Sequence, residues 1–264
     1  MRVMPTESPF AELPDGLPPG ALVEPDPDYF DDETLAGRDV LWVSDKHLTD
    51  AADHWRRLYE RRVETGLYPL LLDTLDESGR PWHAGEFSPT PVGTIDVLSA
   101  GGVLRRFWNG LIEEDASGLL SGAWPGLAEP GEGGRDPETV AGSIAEAVED
   151  SGDRLLGLVP ADRGADTLTV VGWDGPVNHT GCTEELSAVV RSWEERFGAR
   201  VIAVGFATLD LSVAAPPATF DHALKVAAEH YAFCPDILAM GEEGTLEEYA
   251  ESLVDAPRWS FWWD

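Results

Sequence analysis

Two histidine–cysteine pairs are the residues best suited to chemistry in this sequence. His179 precedes Cys182 in "HTGC", and His230 precedes Cys234 in "HYAFC". Because two imidazoles and two thiolates form a common tetrahedral ligand set, these four residues are the candidate ligands of a zinc ion. Structural zinc sites usually hold their ligands in shorter, paired knuckles, and Cys234 ends a predicted amphipathic helix, where small buried cysteines are common. We therefore expect no metal ion and no other cofactor.

A thiol beside an imidazole can also act as a nucleophile, which makes His179 and Cys182 the candidate catalytic residues. Cys182 lies directly before a predicted helix, whose N-terminal dipole favours a thiolate. Glu184 and Glu185 follow at once, and their charges raise the pKa of the same thiol. Cys234 is placed at a helix C-terminus, where the dipole disfavours a thiolate. On balance the sequence favours a protein without enzymatic activity.

The loop "GWDGPVNHTGCT", residues 172–183, is the best candidate ligand-binding segment. Its glycines and the start of the following helix offer free backbone N–H groups, which commonly hold an anion, although the flanking acids disfavour phosphate. The candidate ligand-binding residues are Trp173, Asn178, His179 and Thr180. The sequence contains no G-x-S-x-G motif, no Walker A motif and no zinc-protease helix, so no motif identifies a reaction.

Hydrophobic spacing and capping residues place this loop between two helices. Residues 153–160 are predicted to form a strand, and residues 162–171 a helix that Gly172 ends. Thr183 is predicted to cap the next helix, which Gly198 ends.

The rest of the C-terminal half is predicted from the same signals. Residues 200–217 form two strands around a tight turn near 208–210, and Thr219 and Thr245 cap two further helices. The closing "RWSFWWD" is predicted to be a strand covered on both faces, with Trp262 as its one residue that faces a partner.

The whole chain is predicted to have an α+β fold, with a mixed or antiparallel sheet layered with helices. Residues 1–36, with seven prolines and nine acids, form an extended or poorly ordered acidic arm. An N-terminal α+β region covers 37–115, and a Gly/Pro-rich connection, the candidate domain boundary, covers 116–138. The C-terminal α+β domain, 139–264, runs as strand, helices, hairpin, helices and strand.

A predicted helix at 49–64 carries the densest positive patch of the chain: Arg56, Arg57, Arg61 and Arg62. One interpretation is a solvated face with local partners in Glu60 and Glu64, and another is that the acidic arm folds back onto it. We favour the solvated face, since exposed ion pairs contribute only about 0–1 kcal/mol each.

The charge of the chain excludes some classes of partner. It has 49 acidic and 18 basic side chains, a formal net charge of -31. Nucleic acids and anionic membranes both need Lys and Arg as counter-charge, so neither is expected as a partner. A basic protein partner is attracted by this charge, while solubility alone also explains it. The two cysteines form no disulfide framework, and we expect a reducing cytoplasm.

Several stretches of the C-terminal half have the pattern of a known family. They include "LLGLVPADRGADTLTVVGWDGPVNHT", "VAAEHYAFCPD" and the terminal "WSFWWD", within residues 153–264. In these stretches the chain resembles an uncharacterised, mainly actinobacterial family with the domain of unknown function number 4253. The resemblance implies no established activity, and no catalytic residue is carried over.

The sequence therefore favours a cytoplasmic, acidic, non-enzymatic protein that binds a basic partner protein in an immunity-like or regulatory role. Dispersed negative charge, the missing catalytic motifs and abundant aromatic residues support this prediction. The alternative is an enzyme or small-molecule sensor that uses the 172–183 loop.

Overall fold

A mixed β-sheet lies at the centre of the fold. The computed structural model describes residues 8–29, 37–114, 122–239 and 244–264, and within them seven strands form one sheet. The strands are β1 (Gly20–Val23), β2 (Leu41–Ser44), β3 (Tyr68–Leu72), β4 (Leu155–Val159), β5 (Arg200–Val204), β6 (Thr208–Ser212) and β7 (Arg258–Trp262). Their spatial order is β1-β2-β4-β3-β5-β6-β7, and only β3 and β5 are parallel neighbours.

Helices cover the sheet. They are α1 (Ala51–Thr65), α2 (Ala100–Glu114), α3 (Pro137–Glu149), α4 (Gly164–Val171), α5 (Thr183–Phe197), α6 (Phe220–Phe233), α7 (Asp236–Ala239) and α8 (Leu246–Leu253), with a 3-10 helix at Val92–Val97. Every residue of β2, β3 and β4 is buried, as expected for strands covered on both faces. The predicted α+β fold is confirmed, and so is its C-terminal order from β4 to β7. None of the described helices combines the length and apolarity needed to cross a membrane.

Strands from both sides of the predicted 116–138 connection belong to this one sheet. β3 precedes the connection, yet it lies between β4 and β5, which follow it. Leu71 of β3 pairs with Leu156 on one side and with Ala203 on the other. The hydrophobic core is shared in the same way, since it includes Trp55 as well as Trp193. Residues 115–121 lie outside the described part of the chain.

Part of the predicted acidic arm also belongs to the sheet. β1 is an extended strand that is paired antiparallel with β2. Gly20 is needed there, because a Cβ atom would lie 2.3 Å from the ring of Trp42. The arm reaches α1 as well, since the Gly16 carbonyl accepts a hydrogen bond from Nη2 of Arg57 at 2.8 Å. Residues 1–7 and 30–36 of the arm are outside the described ranges.

The arginine face of α1 follows the favoured prediction of a solvated face in part, since Arg61 is exposed and pairs locally with Glu64. Two other arginines have partners outside α1. Arg56 forms an ion pair with Glu146, and Arg62 pairs with Glu138 at 2.9 Å. Both glutamates belong to α3, which packs beside α1. The positive patch therefore helps to join two helices that are far apart in sequence.

The predicted cap of α5 is wrong by one residue. Cys182 occupies the N-cap position, and no side-chain hydrogen bond caps the helix there. Thr183 is the first helical residue, and its side chain is buried. The capping predictions for Thr219 and Thr245 are confirmed, because each side chain accepts a hydrogen bond from a backbone N–H of the following turn.

The predicted position of the turn between β5 and β6 is also wrong. The turn lies at residues 205–207, where the Gly205 N–H donates to the Thr208 carbonyl at 2.8 Å. Asp210, which suggested a turn, lies inside β6, and its carboxylate accepts hydrogen bonds from Arg258 and Ser260 of β7. A polar residue that pairs across strands therefore has the same sequence signature as a turn residue.

The closing strand β7 is covered on one face only, which corrects the prediction of cover on both. Trp259, Phe261 and Trp263 are buried, and the ring of Phe261 stacks on Trp193 of α5 with centroids 5.4 Å apart. On the other face Ser260 is exposed and Trp262 is 37% exposed. Alternation along the strand thus separates an aromatic core face from an open face.

Glu229 of α6 is a fully buried carboxylate that joins three segments. Its Oε1 accepts from the Ala128 N–H at 2.6 Å and from Nη1 of Arg196 at 2.8 Å. Its Oε2 accepts from Nε1 of Trp193 at 2.8 Å and from Nη2 of Arg196 at 2.6 Å. Arg196 also donates to the Ala128 carbonyl at 2.9 Å. These bonds satisfy a charge that would otherwise be very costly to bury.

We predict that Phe261→Ala lowers the free energy of unfolding by about 3–5 kcal/mol, because it leaves a cavity beneath α5 and α6. Trp262→Ala, one residue further along the same strand, should cost no more than about 1 kcal/mol, since its side chain lies on the open face. Urea denaturation of both variants measures the difference. Equal losses would contradict the one-sided burial of β7.

We also predict that Glu229→Ala costs about 3–5 kcal/mol, because it leaves the half-buried Arg196 and the buried indole of Trp193 without their acceptor. The matched control is Glu146→Ala, which removes an exposed partner of Arg56 and should cost less than about 1 kcal/mol. Urea denaturation measures both, and hydrogen exchange at the Ala128 amide should accelerate only in Glu229→Ala. An unchanged exchange rate at Ala128 would show that Glu229 does not hold the connection.

Candidate functional site

A pocket lies at the end of the sheet where the parallel strands β3 and β5 finish. Asp73 and Gly205 directly follow these strands. Residues 173–178, the 205–207 turn and residues 262–264 contribute to a pocket of about 450 Å³. The carboxyl ends of adjacent parallel strands are a common position for a binding site.

Trp173 fixes the predicted ligand loop against the sheet. Its side chain is buried, and its Nε1 donates to the Gly205 carbonyl at 2.9 Å. Its ring meets that of Trp263 edge to face, with centroids 5.5 Å apart. The next residue, Asp174, accepts a hydrogen bond from Oγ of Ser88 at 2.6 Å. Trp173 therefore forms a rigid wall of the pocket.

The other predicted ligand-binding residues hold the loop in place. Nδ2 of Asn178 donates to the main-chain oxygen of Asp264 at 2.6 Å. Oγ1 of Thr180 donates to Glu185 at 3.2 Å. Trp173 and Asn178 line the pocket, whereas His179 and Thr180 do not.

His179 packs behind the loop. Its Nε2 lies 3.1 Å from the Ala232 carbonyl, and its ring lies 4.6 Å from that of Phe107. Burial lowers the pKa of His179, so the neutral ring donates its Nε2–H to the carbonyl. That nitrogen is therefore occupied and does not serve as a base.

Cys182 is exposed at the start of α5. Partial burial raises the pKa of its thiol, and the charges of Glu185 and Glu184 raise it further, in the direction predicted from the sequence. Glu185 is itself paired with Arg106 of α2. The thiol is therefore mainly protonated at neutral pH, which does not suit a nucleophile.

The four candidate zinc ligands are not brought together. Among the described residues, no group of three or more His, Cys, Asp or Glu side chains could hold a metal ion. His230 is fully buried, and Nδ1 of its ring lies 3.0 Å from the Tyr249 hydroxyl. The thiol of Cys234 donates to the Trp262 carbonyl at 2.9 Å, and burial raises its pKa to about 12. Both residues belong to the packing of α6.

Five of the side chains that line the pocket are large, apolar and exposed. They are Tyr29, Leu75, Val177, Phe206 and Trp262. We call these five residues the apolar rim. Single exposed apolar residues are normal on a protein surface, whereas a contiguous group of them marks a contact surface.

Acidic side chains stand around the same pocket. Glu86, Asp174 and Asp264 contribute to its lining. Burial and the adjacent Asp174 carboxylate raise the pKa of Tyr29 to about 12, so its hydroxyl keeps its proton. Glu86 is paired with Arg80 at 2.8 Å, so the negative charge beside the apolar side chains comes mainly from Asp174 and Asp264.

Sequence reasoning identified Trp262 and the 172–183 loop but missed the rest of the apolar rim. Tyr29, Leu75, Val177 and Phe206 come from separate segments, and no spacing rule links them. A weak signal exists for Phe206, because a large aromatic side chain directly after the glycine of a turn has no strand or helix face to bury it.

Residues 155–264 match a family model described as Domain of unknown function (DUF4253). The match starts at the first residue of β4 and covers β4 to β7, which confirms the resemblance for this part of the chain. No curated protein and no solved structure gives a significant match. The matched family has no assigned activity.

We predict that iodoacetamide alkylates Cys182 more slowly at pH 7 than it alkylates glutathione, because the raised pKa leaves less thiolate. The rate should increase with pH through and beyond the ordinary range of a thiol. Cys234 should react only after unfolding. The control variant Cys182→Ser leaves Cys234 as the remaining thiol, so its reaction can be followed by itself. Mass spectrometry of the labelled peptides measures both sites. A faster reaction of Cys182 than of glutathione at pH 7 would restore it as a candidate nucleophile.

Proposed function

We propose that the protein is a non-enzymatic binding module, immunity-like or regulatory, that takes a basic partner protein at the apolar rim. The observation that carries this proposal is the group of five exposed apolar side chains around one pocket. Aromatic residues are favoured anchors of protein interfaces, and the rim contains Tyr29, Phe206 and Trp262.

The sign of the partner's charge follows from the acids of the pocket and of the whole chain. Asp174 and Asp264 line the pocket together with the apolar rim, and the chain carries a formal charge of -31. Such a field steers a basic protein toward the surface and repels nucleic acid. Both cysteines are free thiols, which is consistent with the reducing cytoplasm that we expect.

The alternative function, an enzyme or small-molecule sensor that uses the 172–183 loop, has less support. Nε2 of His179 is engaged with the Ala232 carbonyl, and the thiol of Cys182 has a raised pKa. Trp173 and Asn178 make hydrogen bonds that hold the loop itself. These residues maintain the shape of the pocket, and the apolar rim is the part of it that remains available to contact a partner.

We predict that the double variant Val177→Ser, Phe206→Ser binds the partner at least about tenfold more weakly, because it removes two exposed apolar contacts. The matched control is Val63→Ser, Val97→Ser, which removes apolar side chains that are 85% exposed elsewhere on the surface. Affinity capture from the native lysate, with mass spectrometry and titration of the captured protein, measures retention.

The proposal requires one basic protein that the parent chain and the control variant both retain, with an affinity that falls as salt is added. The rim variant must keep the parent's melting temperature, so that the loss is not due to unfolding. A partner that the rim variant binds with unchanged affinity, or the absence of any basic partner, would refute the proposed function.

A further inference from the structure

The outer edge of β7 carries main-chain groups that the sheet does not use. β7 is the last strand of the sheet and pairs with β6 on one side. The Val213 N–H donates to the Pro257 carbonyl, and the Trp263 N–H donates to the Ala207 carbonyl. In an antiparallel ladder every second residue directs its N–H and C=O groups to the same neighbouring strand. The backbone groups of Trp259 and Phe261, which lie between Pro257 and Trp263 at this spacing, therefore also point toward β6.

The same alternation directs the backbone groups of Arg258, Ser260 and Trp262 toward the other edge. The Trp262 carbonyl confirms this direction, because it accepts from the thiol of Cys234 and not from β6. In the described residues no strand lies beside this edge. The N–H and C=O groups of Ser260 are thus in position to pair with an incoming strand.

A groove of about 670 Å³ runs along this part of β7. Ile237 of α7 and Tyr249 of α8 form one wall, and Trp262 lies on the side of the open sheet face. An extended peptide alternates its side chains to the two sides of its backbone. A strand beside β7 would therefore place one set of side chains against Ile237 and Tyr249 and the other set on the open face.

The charges of the groove select a basic occupant. Its lining includes Asp73, Asp210 and Asp236, and Arg258 is the one basic residue among the described lining residues. Arg258 is already paired with Asp210 at 2.8 Å. The remaining negative charge favours Lys and Arg side chains on the occupant. It opposes a second copy of this chain, which brings a further formal charge of -31.

We propose that an extended basic segment of the partner protein adds to the outer edge of β7 as a further strand of the sheet. This inference rests on the proposed function, since Trp262 belongs both to the apolar rim and to the groove. Main-chain hydrogen bonds to Ser260 supply affinity, and the alternating contacts with Tyr249 and Trp262 supply specificity. The apolar rim then holds the remainder of the partner at the end of the same strand.

Ser260→Pro tests the hydrogen bonds, because proline removes the N–H that points outward and leaves the ladder with β6 complete. The matched control is Ser260→Ala, which loses the same side-chain hydrogen bond to Asp210 but keeps the N–H. The probe is the blocked peptide Ac-RVRVRVR-NH2, with Ac-EVEVEVE-NH2 as the charge control, and calorimetry at low salt measures binding.

We expect the parent chain and Ser260→Ala to bind the basic peptide with similar affinity and Ser260→Pro to bind it at least about tenfold more weakly. The acidic peptide should not bind. Two further versions of the basic peptide test which of its N–H groups pair with β7. One is N-methylated at every arginine and the other at every valine. Since only alternate N–H groups of a strand face its neighbour, one of the two peptides should lose binding and the other should keep it.

Equal effects of the two N-methyl patterns, equal binding by folded Ser260→Pro, or no binding of the basic peptide would each overturn strand addition. If Ser260→Pro does not fold, the pair of N-methyl peptides still decides the question on the parent chain. A parent dimer that becomes monomeric in Ser260→Pro would identify a second copy as the occupant and also overturn the proposal. If the partner is lost by the rim variant but kept by Ser260→Pro, the proposed function stands and strand addition fails.

Discussion

The carboxylate of Glu229 is the interaction on which the arrangement of the C-terminal helices depends. It is fully buried, and each of its oxygens accepts two hydrogen bonds, from a guanidinium, an indole and a backbone N–H. A buried carboxylate tolerates little displacement. Each hydrogen bond that it loses leaves part of its desolvation free energy uncompensated. The register between α5 and α6 is therefore fixed by geometry as well as by apolar packing, and the connection at Ala128 is fixed with it.

The packing of α5 and α6 determines which face of β7 is buried and which face stays open to a partner. Trp193 donates to Glu229 through its indole and stacks on Phe261 through its ring. The aromatic face of β7 is thereby held against α5 and α6, which leaves Ser260 and Trp262 on the open face. Ser260 and Trp262, which we propose to contact the partner, thus lie opposite the aromatic core face of the same strand. A strand that is already ordered in the free protein has less conformational entropy to lose on association.

The sequence predicted the elements of this fold well, since their signals are local. The helix ends at Gly172 and Gly198 are predicted correctly because glycine adopts the left-handed backbone found there. The turn at 205–207 was misplaced, because Asp210 looks like a turn residue until its partner Arg258 is known. The apolar rim beyond Trp262 could not be predicted, since its other members come from separate loops that only the folded sheet brings together. The insertion of β3 between β4 and β5 is likewise invisible to any local pattern.

The position of β3 also bears on how the chain is made. During synthesis β3 leaves the ribosome before either of its neighbours, because β4 and β5 both follow the connection. Its sequence "YPLLL" is apolar throughout and buried throughout in the finished sheet. The growing chain therefore carries an unpaired, strongly apolar strand across the synthesis of α2 and α3, and sheet closure must wait for distant residues. Asp73, Asp76 and Glu77 follow this strand in the sequence, and charges that flank an apolar segment oppose its aggregation while it is unpaired.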